Sequence, residues 1–282
     1  MIATPTPKFI NVRGQLMDLS IPKIMGIVNV TPDSFYDGGQ IRSNRDLLHK
    51  VEKMLADGAD ILDVGAYSSR PGAAEVSEKE ERKLATHAVS EIVKAFPEAV
   101  VSIDSFRMTV ARASLDVGAS IINDISGGEL DESMFDLVIE RNVPYIMMHM
   151  RGNPQTMSQM TDYKDIISDI IDYFNFKLSQ LTRKGVKDII IDPGFGFAKT
   201  REQNFELMNK LELLWMLDVP MLCGISRKSM IFKTLNCTPD QALNGTTALN
   251  MASLMKGASI LRVHDVREAK ETITLFQEIK NR

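Results

Sequence analysis

Eight short apolar runs recur along the chain, each followed by a loop and a longer amphipathic segment. The runs are KIMGIVNV (23–30), ADILDVGA (59–66), VVSIDS (100–105), SIINDIS (120–126), VPYIMMHM (143–150), DIIIDPG (188–194), VPMLCGIS (219–226) and ASILRVHD (258–265). Each shows little polar alternation, the pattern of a strand buried on both faces. The segments between them, near 44–57, 77–95, 107–117, 131–141, 162–184, 202–217, 228–256 (in two pieces) and 267–280, read as helices. Strands that alternate with helices pair in parallel through right-handed crossovers. Gly58, Gly118, Gly185 and Gly257 stand where a left-handed cap would return the chain to the sheet. Eight such units in 282 residues predict an α/β fold of the (β/α)8 TIM-barrel type, with an open doubly wound sheet as the rival. A turn at Arg13-Gly14 predicts a short hairpin within residues 1–20. No linker or low-complexity tract interrupts the chain, so one domain over 1–282 is expected.

The runs end in polar residues: Asn29, Asp63, Asp104, Asn123 with Asp124, His149, Asp192, Ser226 with Arg227 and Lys228, and Arg262 with His264. Barrel active sites lie at the C-terminal ends of the strands, so these side chains are expected to share one rim. Asp63 and His149 are balanced between a structural and a functional role. The loops TPDSFYDGGQ (31–40), AYSSRPGAAEVS (66–77) and RGNPQTMSQM (151–160) fall on the same face and are long enough to act as lids.

Chemistry narrows what such a rim could hold. Asp104, Asn123 and Asp192 supply carboxylate and amide oxygens suited to a flat heterocycle with adjacent N–H donors. Lys228, Arg262 and Arg70 can neutralise phosphate or carboxylate, and an arginine can also stack on a flat ring. Asn29 offers an oxygen suited to Mg²⁺. A flat nitrogenous ring, a phosphate-bearing leaving group and an acidic second substrate would fit.

Composition removes other classes. A net charge of -4 disfavours a general nucleic-acid binder but still allows a local anion site. Two cysteines, Cys223 and Cys237, form neither a disulfide framework nor a metal-ligand spacing. MIATPTPKFINVRGQ lacks a charged-then-apolar signal pattern, and no apolar run reaches the roughly 20 residues that span a bilayer. The expected location is the cytoplasm, with no membrane partner. GFGFAK (194–199) lacks the spacing of a dinucleotide or P-loop motif, and GISRKS (224–229) lacks the second glycine of a nucleophile elbow.

Several motifs in order resemble the dihydropteroate synthase family: GIVNVTPDSFYDGG (26–39), SSRPGA (68–73), SIDS (102–105), IINDIS (121–126), MMHMRGNPQTM (147–157), IDPGFGFAK (191–199), GISRKSM (224–230) and ILRVHDV (260–266). The resemblance implies a barrel that condenses 6-hydroxymethyl-7,8-dihydropterin pyrophosphate with 4-aminobenzoate, giving 7,8-dihydropteroate and pyrophosphate. It implies that Asp104, Asn123, Asp192 and Lys228 bind the pterin, with Arg262 flanking the ring and His264 on the pyrophosphate. Asp104, Asp192, Lys228 and Arg262 would be the catalytic set. Met148 would join the substrate-binding residues, Phe197, Pro71 and Ser229 the 4-aminobenzoate pocket, and Ser69 and Arg70 the second mobile loop. Asn29 would be the Mg²⁺ and pyrophosphate ligand, and the enzyme a homodimer. The chain departs from the family at Tyr36, where Ser is usual, and in GAYSSRPG, where Tyr67 replaces Glu and Ser69 replaces Thr. The alternative is a related pterin-binding barrel that moves a methyl group from a methylated folate to a corrinoid protein. That reaction has no use for the pyrophosphate ligands.

Overall fold

The computed structural model describes residues 9–30, 43–67 and 76–280. Strands β1 (Phe9–Val12) and β2 (Gln15–Asp18) form an antiparallel hairpin. Arg13 and Gly14 both take positive φ, 55° and 81°, which is what a two-residue turn between twisted strands requires. The chain then winds through β3 (Lys23–Asn29), α1 (Asn44–Ala56), β4 (Ile61–Gly65), α2 (Glu78–Ala95) and β5 (Val101–Asp104). It continues through α3 (Met108–Asp116), β6 (Ile121–Asp124), α4 (Met134–Arg141), β7 (Tyr145–Met148), α5 (Ile166–Thr182) and β8 (Ile189–Asp192). The last elements are α6 (Arg201–Asn209), β9 (Leu222–Cys223), α7 (Ser229–Phe232), α8 (Leu243–Met255), β10 (Ile260–Val263) and α9 (Val266–Lys280).

The eight strands after the hairpin pair in the order β8-β7-β6-β5-β4-β3-β10-β9, and every pair is parallel. A parallel bridge between Ile191 and Met221 joins β8 to the start of the β9 run, with Ile191 N–H donating to Pro220 C=O at 3.0 Å. That contact closes the ring, so the open sheet is excluded. No helix among the described residues is long and apolar enough to cross a membrane.

Apolar runs with little alternation conceal a strict two-residue alternation of environments. Ile24, Val28, Leu62, Val64, Val101, Ile103, Ile122, Ile191, Leu261 and Val263 belong to the core beneath the helices. Their neighbours Met25, Ile61, Ile121, Ile146, Ile190, Leu222 and Ile260 form a second cluster inside the barrel, with Ile10, Val12 and Leu19 of the hairpin segment. Val100, just ahead of β5, completes that ring. The hairpin therefore plugs the N-terminal mouth. Asn11 N–H donates to Asp188 Oδ1 at 2.9 Å, and Arg13 Nη1 to Pro97 C=O at 3.0 Å, pinning it there.

Three helical stretches are shorter than their sequence segments, each with a local cause. The 131–141 stretch enters α4 only at Met134, because Asp131 caps the preceding helix by accepting from Met108 N–H at 2.8 Å. The 162–184 stretch begins its helix at Ile166, with Asp165 as the N-cap accepting from Ser168 N–H. The 202–217 stretch turns from α-helix to a tighter 3₁₀ segment at Leu211–Leu217. Gly58, Gly118, Gly185 and Gly257 all take positive φ, as expected at those helix ends.

Ile10 is fully enclosed by residues from the barrel interior, so its truncation tests the plug. Ile10→Ala is expected to lower unfolding free energy by roughly 2–5 kcal/mol in urea titrations. A loss near zero would mean that the hairpin does not seal the barrel.

Candidate active site

One layer above the plug, the inward side chains change from apolar to polar. Arg262 on β10 reaches across the mouth. Its Nε donates to Asp63 Oδ2 at 2.6 Å and its Nη2 to Asp104 Oδ2 at 2.5 Å. Asn123 Nδ2 also donates to Asp63 Oδ2, at 2.9 Å. A carboxylate only accepts, so this contact orients the amide and turns Asn123 Oδ1 the other way. Asp63 is wholly buried, whereas Arg262 and Asp104 retain a fifth of their side-chain exposure. Burial, with Asp63, Glu81 and Asp124 nearby, pushes the Asp104 carboxyl up to about 7, although Arg262 pulls it back. Burial also opposes charge on Arg262, but Asp63 and Asp104 outweigh it and hold the guanidinium firmly protonated. Gly65, in register with Asp104, and Gly224, facing Arg262 and Asp192, leave space beside these groups.

The loop after β8 supplies the opposite wall. Asp192 Oδ1 accepts from Gly194 N–H at 2.8 Å, and burial raises its carboxyl while Lys228 lowers it. Gly194 has φ +70°, and a Cβ there would lie 2.1 Å from the His149 carbonyl oxygen, so only glycine fits. Lys199 then ties the loop together: its Nζ donates to Gly194 C=O (3.0 Å), Phe197 C=O (3.1 Å) and His149 Nδ1 (3.1 Å). Lys228 donates to Phe195 C=O, and its ammonium lies 4.4 Å from the Phe197 ring centroid. Burial lowers Lys228 to about 8 against the pull of Asp192.

Met148 is buried beside Ile125, Met150, Met157 and Ala198, with Phe106 and Phe197 packed on the same group. Ser229 is exposed at the start of α7, next to Lys228. His264 is partly buried just beyond β10, with Ser226 Oγ 3.0 Å from its Nδ1. Asn29 is exposed at the end of β3. Ser69, Arg70, Pro71 and Tyr36 lie outside the described residues.

The shared rim needs two corrections. Asp124 faces outward, accepting from Ser126 N–H and Oγ–H (both 2.7 Å), Gly128 N–H (2.8 Å) and Tyr145 Oη–H (2.8 Å). Its inward neighbour Asn123 shows why: adjacent strand residues point to opposite faces. Arg227 is engaged by both Asp265 oxygens at 2.8 and 2.9 Å and by the carbonyls of Pro239 and Asp240. It braces loops away from the mouth. Asp63 and His149 prove to be supports. Asp63 holds Arg262, and His149 is enclosed by Tyr163, Tyr173 and Phe174 with Lys199 on its Nδ1.

Lys199 was not singled out by its position in the sequence, since only the folded loop shows its three acceptors. Tyr67 was visible as a departure. Its hydroxyl accepts from Gln155 Nε2 at 3.0 Å and its ring meets Phe106 edge-on at 5.1 Å, so it links three of the loops at the mouth.

Residues 25–264 match the family described as pterin binding enzyme. The dihydropteroate synthase of Escherichia coli K12 is 40% identical over 94% of each chain. The chain belongs to the dihydropteroate synthase family. The Synechocystis dihydropteroate synthase is 42% identical over 86% of this chain and 85% of its own. Among solved structures, the Yersinia pestis dihydropteroate synthase in a sulfonamide drug complex superposes with a TM-score of 0.92. It shares 36% identity over 98% of this chain and 100% of that one. The Xanthomonas albilineans dihydropteroate synthase with 4-aminobenzoic acid gives 0.89 at 32% identity, over 98% and 99%. The chain is accordingly a transferase of folate biosynthesis.

For a dihydropteroate synthase with this mouth, kcat/KM for the pterin substrate is expected to be bell-shaped. Below about 7, Asp104 takes up a proton and loses both its charge against Arg262 and an acceptor. Above about 8, Lys228 loses its charge. A profile flat from roughly pH 6 to 9 would contradict this electrostatic picture.

Proposed function

We propose that this chain condenses 6-hydroxymethyl-7,8-dihydropterin pyrophosphate with 4-aminobenzoate, releasing 7,8-dihydropteroate and pyrophosphate. The observation that carries the reading is the convergence of Asp104, Asn123 and Asp192 around Arg262, in a family of dihydropteroate synthases. Those acceptors suit the adjacent N–H groups of a pterin edge. Arg262 would flank the ring, and Lys228 would hold its rim from above Phe197. Phe197, Ser229 and Pro71 would receive 4-aminobenzoate, with Ser69 and Arg70 on the second mobile loop.

The reaction needs no strong protein nucleophile. The bond from the exocyclic CH₂ to the pyrophosphate oxygen breaks first, and the bonding pair leaves with pyrophosphate. The remaining CH₂⁺ is conjugated with the pterin ring. The aniline nitrogen attacks it, forms the C–N bond and loses a proton to solvent. The chain's part is to orient the ring through its carboxylates and to place cations, Lys228 and Arg262, where negative charge departs.

Mg²⁺ fits this site as an ion carried largely by substrate. Asn29 presents an exposed amide oxygen at the end of β3, and no cluster of three or more His, Cys, Asp or Glu suited to a metal exists among the described residues. Mg²⁺ commonly uses one or two protein oxygens, substrate phosphates and water. When bound, it would neutralise charge on the leaving pyrophosphate. The family resemblance extends the reading to a homodimer.

Pyrophosphate release with both substrates present tests the reading. We expect release that stops in excess chelator, and a raised Mg²⁺ requirement in Asn29→Ala. Lys228→Ala should lower turnover at least about tenfold, the cost of one charged hydrogen bond to a ligand. Arg262→Ala should do the same and also destabilise the fold, because Asp63 would be left buried without its cation. No pyrophosphate release, or methyl transfer from a methylated folate, would overturn the proposal.

A further inference from the structure

His264 and Ser226 form a pair that the pterin-binding geometry does not use. Ser226 is 5% exposed and lies on the turn after β9, facing the end of β10. Its Oγ accepts from the His264 backbone N–H at 3.2 Å and lies 3.0 Å from His264 Nδ1. A serine hydroxyl has one proton to give. Among the described residues, His264 Nδ1 is the acceptor within reach of that proton. If Nδ1 accepts, a neutral ring carries its own proton on Nε2. The ring is neutral: burial, then the charge of Arg262 two residues earlier, with Lys50 from α1 and Arg227 from the β9 turn, lowers it to about 4 against the pull of Asp265. Nε2 has no protein partner among the described residues.

We infer that Ser226 is a positioning residue that locks His264 in the Nε2–H tautomer, so that the ring offers a neutral, directed N–H donor to a pyrophosphate oxygen. The inference rests on the proposed reading, together with the family resemblance that sets His264 against the pyrophosphate. Neutrality has a purpose there. Arg262 and Lys228 already bring full positive charge to the mouth. A third cation would hold pyrophosphate tightly both as part of the substrate and as product, and equal binding of both states does not speed turnover. A neutral donor aligns the leaving group without that retention.

Nitrogen NMR of ¹⁵N-histidine-labelled protein reads the tautomer directly. The chain has four histidines, so loss of one signal set in His264→Gln assigns it. At neutral pH the expected spectrum shows a protonated Nε2 and an unprotonated Nδ1. Ser226→Ala should populate the Nδ1–H form and raise KM for the pterin pyrophosphate roughly three- to tenfold, leaving KM for 4-aminobenzoate unchanged. Ser226→Thr should restore both. A wild-type spectrum with the proton on Nδ1, or an imidazolium, would overturn the inference even in an active enzyme, and so would an unchanged tautomer in Ser226→Ala. The expected spectrum in a protein that releases no pyrophosphate would support the tautomer and overturn only the functional reading.

Discussion

Arg262 donates through Nε to Asp63 and through Nη2 to Asp104, and the mouth of the barrel is organised around that bridge. Two carboxylates at this depth repel each other, and a cation between them offsets that repulsion. The arginine eases that conflict without abolishing it, since burial and the neighbouring carboxylates still push Asp104 up to about 7. It also leaves Asp104 with an exposed portion on the open side, where a ligand can reach it, while Asp63 stays enclosed. Asn123 is oriented through the same Asp63 oxygen, so one buried carboxylate sets the direction of two groups aimed at the mouth. A buried pair of this kind adds little net stability, but losing one partner is costly because the other remains buried and unpaired.

The opposite wall is held by a different device. Lys199 gathers two carbonyls and a histidine nitrogen of the β7 and β8 ends, fixing a loop whose Phe195 carbonyl and Phe197 ring seat Lys228. Burial brings Lys199 down to about 7, although Asp192 opposes this. The two walls meet electrostatically at Asp192, which faces Lys228 and Arg262 together.

The barrel and its hairpin were legible because their signals are local: eight apolar runs, capping glycines at positive φ and a turn at Arg13-Gly14. The inward set Asp104, Asn123, Asp192 and Arg262 was legible through strand ends combined with motif resemblance. What the runs did not reveal was parity. Asp124 beside Asn123, and Arg227 beside Lys228, are equally polar and equally placed in sequence, yet both turn outward to brace loops. Nor could sequence alone separate supports from ligands. Asp63, His149 and Lys199 earn their roles through partners 50 or more positions away, such as Arg262 at a separation of 199.

The central claim is that Asp63, wholly buried behind the mouth, controls the proposed pterin pocket by fixing Arg262. Calorimetric titration of Asp63→Asn with a pterin ring compound tests it, with thermal unfolding as the control for folding. Asn at 63 keeps an oxygen acceptor but removes the charge. The account predicts at least about tenfold weaker binding in a protein that still unfolds cooperatively, the order expected for loss of a charged contact. Wild-type affinity in the folded variant would contradict it.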